Sequence, residues 1–155
     1  MNLKIIFGPP NSGKSWKIEN DLEKIQGKAL YFGTLNIDLI NADYIIDRHK
    51  VRRNESKWIL YEITNNYNTD FNSLTNIILS ENPHTLLIDG VWNLFKSYGL
   101  YWSDLNIILE FLIQFITSNL HNLNIIIIDS SYKEDEIKFK RYAQSRLNDI
   151  LNKNN

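Results

Sequence analysis

Gly8-Pro9-Pro10-Asn11-Ser12-Gly13-Lys14-Ser15 is the stretch on which the fold turns. It has the form G-x-x-x-x-G-K-S, that of a phosphate-binding P-loop. The apolar run Leu3–Phe7 comes before it, and a segment with Ile18, Leu22 and Ile25 on one face comes after. Strand, glycine-bounded loop and helix are the setting in which such a loop works. Gly8 and Gly13 let the backbone curl so that successive N–H groups face phosphate oxygens. The helix that follows adds its positive N-terminal end. Lys14 carries a full charge toward the β- and γ-phosphates, and Ser15 offers a hydroxyl to a magnesium ion. Pro9 and Pro10 stiffen positions that need no N–H of their own. Gly8, Pro9, Pro10, Asn11, Ser12, Gly13, Lys14 and Ser15 are therefore the expected nucleotide-binding residues.

Beyond this loop the chain alternates between two periods. Leu3–Phe7, Lys28–Gly33, Trp58–Ile63, Thr85–Asp89 and Asn124–Asp129 are short and rich in β-branched or aromatic residues, and they predict five strands. Several are apolar throughout, as strands of a parallel sheet are when helices cover both faces. Helical spacing predicts helices over Lys14–Gln26, Ile37–Arg52, Ser73–Ser80, Ser103–Leu120 and Asp135–Leu151, while Asn65–Asp70 and the tail Asn152–Asn155 read as loop. The expectation is one α/β domain over residues 1–155, with a mostly parallel sheet of about five strands and helices on both faces. Within Leu105–Ile116 nine of twelve residues are hydrophobic, which reads first as a helix buried on two sides, with a subunit interface as the alternative.

Composition narrows the function classes. With 17 basic and 18 acidic residues, no global field points to nucleic acid or to an anionic membrane. The absence of cysteine rules out disulfides and thiolate zinc sites. Met1 leads directly into a strand without a basic-then-apolar leader, and no apolar run reaches membrane-spanning length, so a cytoplasmic protein is expected. His84 reads as a turn residue and His121 as a helix end. Trp92, Tyr98, Tyr101 and Trp102 read first as core aromatics, with a pocket for a large planar ligand as the alternative.

A second dense group is His49-Lys50-Val51-Arg52-Arg53, followed by Trp58. A solvated basic helix end is one reading. The other is chemical: neutral imidazole is a nucleophile toward phosphorus, and adjacent guanidinium groups hold phosphates in a bidentate grip. Ala29-Leu30-Tyr31-Phe32-Gly33-Thr34, then His49-x-x-Arg52-Arg53, then Trp58 and Glu62, together with the loop ending Ser12-Gly13-Lys14-Ser15, resemble the bifunctional adenosylcobinamide kinase / adenosylcobinamide-phosphate guanylyltransferases. The likeness covers residues 1–63 best, extends to about residue 96, and makes the chain resemble a divergent, C-terminally shortened member.

The resemblance implies that His49 carries GMP in a covalent intermediate, with Lys14, Arg52 and Arg53 as further catalytic residues and Lys50 and Glu62 in support. It implies that Ser15 and Asp89 hold magnesium, that GTP or ATP is the substrate nucleotide, and that the acceptor is a corrinoid such as adenosylcobinamide. It also implies a homo-oligomer. Two other classes stay open on the residues alone: a P-loop kinase of another small molecule, and a non-catalytic nucleotide-binding regulatory module.

Overall fold

The computed structural model describes residues 3–7, 14–34, 53–64, 66–90 and 123–129, together with Ile137, Arg141, Ser145 and Asp149. The predicted helices over 37–52 and 103–120 lie outside these residues. Of the last predicted helix, the four described residues are helical and exposed.

Five strands form one sheet: β1 (Leu3–Phe7), β2 (Ala29–Gly33), β3 (Trp58–Glu62), β4 (Thr85–Asp89) and β5 (Asn124–Asp129). Their order is β1-β5-β4-β2-β3, and every neighbouring pair is parallel. The fold is thus of the α/β P-loop type expected from the sequence. Both faces of the central strands are covered. Ala29, Leu30, Tyr31 and Phe32 are all buried, as are Leu86, Leu87 and Ile88. This is why β2 and β4 read as continuous apolar runs instead of alternating ones.

Helix α1 (Lys14–Glu23) packs on one face. Its Ile18 and Leu22, four residues apart, join Ala29, Tyr31, Trp58, Leu87 and Ile128 in a core cluster. The helix stops short of the predicted Gln26, because the chain turns at Gly27, whose φ is +98°. Ile25 consequently leaves the buried stripe and is exposed. Helix α2 (Tyr67–Glu81) covers the opposite face, where Phe71 meets Phe32 edge-on at 6.4 Å between ring centres. No helix among the described residues is long and apolar enough to cross a membrane.

Helix α2 begins well before the expected Ser73. The polar run read as a loop is largely the start of the helix. The side chain of Asn66 caps it by accepting from Thr69 N at 3.0 Å, and Asn82 closes it in the left-handed conformation. Asp70 is fully buried in the first turn. It accepts from the Tyr61 hydroxyl at 2.8 Å, from the Thr64 hydroxyl at 2.6 Å and from the Thr64 N–H at 3.1 Å. Strand β3 and helix α2 are tied together through this one carboxylate. Asp70→Ala removes the acceptor from three donors and is expected to cost about 2 kcal/mol in urea denaturation, with Asp70→Asn recovering part of the loss through its amide oxygen. A midpoint unchanged in Asp70→Ala would show that water replaces the carboxylate without cost.

Candidate functional site

Open parallel sheets bind ligands outside the carboxyl ends of their strands. Here the register sets one row along that edge: Phe7 opposite Asp129, Ile128 opposite Asp89, Asp89 opposite Gly33, and Gly33 opposite Glu62. Strand β1 ends on this edge at Phe7, and α1 begins at Lys14. Gly8, Pro9, Pro10, Asn11, Ser12 and Gly13, which join them in sequence, lie outside the described residues. Ser15 sits half-buried in the first turn of α1. Strand β5 lies between β1 and β4, so the strand leading to the loop and the strand carrying Asp89 are not neighbours.

Asp89 is held from two directions. Its carboxylate Oδ2 accepts a hydrogen bond from the Tyr31 hydroxyl at 2.8 Å. Its backbone end is pinned by the Thr34 hydroxyl, which lies 2.6 Å from the carbonyl oxygens of both Asp89 and Gly90. Gly90 N donates in turn to Ile128 O at 2.9 Å, closing the end of β4 against β5. Burial first, and then the adjacent Asp89 carboxylate, push the Tyr31 hydroxyl well above the ordinary tyrosine range, so it stays a donor. Glu62 leans over Gly33. A β-carbon added at Gly33 would stand 2.9 Å from Glu62 Cδ and closer still to a carboxylate oxygen, so the position admits no side chain without displacing Glu62.

Arg53, expected as a phosphate-gripping catalytic residue, has a different setting. It is 4% exposed and forms an ion pair with Glu19 of α1, itself 4% exposed. Its guanidinium carbon lies 3.5 Å above the centre of the Tyr31 ring and 6.0 Å from that of Trp58. Trp58 meets Tyr31 edge-on and donates from Nε1 to Glu23 Oε1 at 2.8 Å. A turn at Asn54–Lys57, closed by the backbone bonds Lys57 N to Asn54 O at 2.9 Å and Trp58 N to Asn54 O at 3.0 Å, brings Arg53 and Trp58 to the same side. The physical reason is electrostatic. Glu19 lies one position from Ile18 on the buried side of α1, and a carboxylate there requires a cation. His49, Lys50 and Arg52 lie outside the described residues.

The donor set suits magnesium as it is carried with phosphates. Such an ion takes hard oxygen ligands, usually one or two carboxylates with the phosphates supplying the rest. Asp89 is half-buried at the edge, and among the described residues its Oδ1 has no hydrogen-bond partner. Ser15, on the first turn of α1, and Asp89, at the end of β4, carry oxygen donors of this kind. Among the described residues no group of three or more carboxylates and imidazoles forms a cation cage.

Several residues of this neighbourhood carried no individual signal in the sequence. Tyr31 and Thr34 sit in a strand and its exit, and Glu19 and Glu23 look like surface residues of an amphipathic helix. The only available hint was the spacing of Glu19 and Glu23, which places both on the Ile18–Leu22 side. His84 is the turn residue expected, its Nδ1 2.8 Å from Thr85 Oγ1, and burial lowers its pKa from the ordinary histidine value.

No family model matches the sequence, and no curated protein matches it. Counterparts occur among solved structures. The RadB recombinase is similar with a TM-score of 0.54 at 17% identity, over 83% of this chain and 61% of that one. A KaiC-like protein from the hyperthermophilic archaeon Pyrococcus horikoshii OT3 is similar with a TM-score of 0.54 at 13% identity, over 84% of this chain and 61% of that one. This chain therefore corresponds to less than two thirds of either neighbour, and what it shares with them is the fold.

Proposed function

We propose that this protein binds a magnesium nucleoside triphosphate at the carboxyl edge of its sheet and transfers part of it to a second substrate. The observation that carries the reading is that β1, which precedes Gly8–Ser15 in sequence, ends at the same carboxyl edge of the sheet as β4 and β3, whose last residues are Asp89 and Glu62. Backbone N–H groups of the loop and Lys14 bind the polyphosphate, and Ser15 and Asp89 hold magnesium. The ion supplies neutralisation of phosphate charge. The remaining work is positioning, which is most of what phosphoryl transfer needs.

The finer reading rests on the resemblance of His49-x-x-Arg52-Arg53, Trp58 and Glu62 to the cobinamide enzymes. In one reaction the γ-phosphoryl group of ATP or GTP passes to a substrate hydroxyl. In the other a ring nitrogen of His49 attacks the α-phosphorus of GTP. The bond to the bridging oxygen breaks, its electron pair leaves on pyrophosphate, and GMP stays on the ring as a phosphoramidate. An oxygen of a substrate phosphate then attacks that phosphorus, and the electron pair of the broken nitrogen–phosphorus bond returns to the ring. Arg52 and Lys50 steady the phosphates, and a corrinoid such as adenosylcobinamide is the acceptor class. The two-step transfer predicts ping-pong kinetics.

A second reading is favoured by the solved structures of similar fold, a recombinase and a KaiC-like protein. In it the chain is a nucleotide-binding module with no covalent step. Incubation with magnesium and α-labelled GTP, followed by denaturation, separates the two. Label retained on the chain, lost in acid, stable in base and missing in His49→Ala is the expected result. Nucleotide binding with no retained label and no turnover of the nucleotide would replace the first reading by the second.

A further inference from the structure

A tyrosine in the middle of a buried strand needs a reason for its hydroxyl. Tyr31 is 3% exposed and packs among Ile18, Leu22, Trp58 and Leu87. A phenylalanine would bury the same ring without desolvating an O–H group, so the hydroxyl is retained for its partner. That partner is Asp89, at 2.8 Å. The ring itself has little freedom. The guanidinium carbon of Arg53 lies 3.5 Å over its centre, Trp58 abuts it edge-on at 6.3 Å, and the Arg53–Glu19 ion pair ties this group to α1. Thr34 fixes the backbone of Asp89 in the same way that Tyr31 fixes its carboxylate.

We infer that Tyr31 is a positioning residue for the magnesium–nucleotide site: its hydroxyl holds Oδ2 of Asp89 so that Oδ1 is presented at the carboxyl edge. The inference rests on the reading of Asp89 as a magnesium residue given above. Its physical basis is orientation. An aspartate on a strand end rotates about two side-chain torsions, and an outer partner that selects one arrangement removes the entropy that cation binding would otherwise lose. The geometry also links α1 to the same carboxylate, through Glu19, Arg53 and Tyr31 in turn.

The test is equilibrium binding of the fluorescent analogues mant-GTP and mant-ATP to the full chain, titrated with magnesium. Tyr31→Phe is expected to raise the magnesium concentration at half-binding about tenfold, the lower end of what losing an outer-sphere partner costs. Binding in EDTA is expected to stay as in the parent, and the melting temperature to move by no more than about 2–4 °C. Asp89→Asn is expected to raise the same midpoint at least as far. The double variant Tyr31→Phe/Asp89→Asn is expected to match Asp89→Asn alone, because the hydroxyl acts only through that carboxylate. A shift in Asp89→Asn with none in Tyr31→Phe overturns the inference and leaves the site reading standing. Additive shifts in the double variant also overturn it, since Tyr31 would then act by packing. No shift in Asp89→Asn overturns the site reading itself, and the inference with it.

Discussion

Arg53→Ala is expected to destabilise the fold by about 3–5 kcal/mol, the cost of leaving a buried carboxylate without its cation. Glu19 is as deeply buried as Arg53 and faces the sheet from α1. Without the guanidinium its charge has to be neutralised by proton uptake or hydrated by opening α1 away from the sheet. The substitution also empties the space above the Tyr31 ring, where the guanidinium carbon lies 3.5 Å from the ring centre. A domain of this size has a total stability of about 5–15 kcal/mol, so the loss removes between about a fifth and all of it. The measurement is urea denaturation followed by circular dichroism. Replacing both partners by apolar residues of similar volume, Arg53→Met with Glu19→Leu, is expected to recover most of the loss, since the pair then owes no desolvation. A single variant that unfolds within about 1 kcal/mol of the parent would mean that the pair is solvated, with the worth of a surface ion pair.

Lys14→Ala is expected to weaken binding of GTP and ATP about 100-fold, or about 2.7 kcal/mol, while leaving the melting temperature of the unliganded protein nearly unchanged. The loss matches that of a charge-assisted contact to an anionic ligand. Lys14 is the first residue of α1, a position where alanine is an acceptable helix former, so the backbone has no reason to move. Titration with mant-GTP and mant-ATP measures the affinity directly. Loss of the ligand-induced rise in melting temperature provides an independent check, because that rise depends on ligand concentration relative to Kd. Equal affinity in the variant and the parent would remove the P-loop reading and all chemistry assigned through it.

Much of the fold was legible because the signals are local. Each strand is a short run of β-branched and aromatic residues, and three of the five runs have the bounds of the structured strands: Leu3–Phe7, Thr85–Asp89 and Asn124–Asp129. The start of α2 was not legible. Asn66 and Asp70 have the composition of a loop, and they join the helix because one caps its N-terminus and the other has buried donors waiting on β3. Around the site, Asp89 and Glu62 could be named from strand ends that resemble a known pattern. Arg53 could be named but not understood. In the sequence it stands beside Arg52, and nothing local reveals that it turns inward to a carboxylate 34 positions earlier.

The G-x-x-x-x-G-K-S motif at Gly8–Ser15 is read from residue type alone, and the strand segments and the two-sided burial of β2 and β4 follow from residue type and local period. The placement of β5 between β1 and β4, the alignment of Asp89 and Glu62 on either side of Gly33, and the Glu19–Arg53–Tyr31–Asp89 succession came only with the tertiary structure. Backbone propensity and turn chemistry act over a few residues. Which strand lies beside which, and which buried charge meets which, is settled by packing and desolvation between segments far apart in the chain.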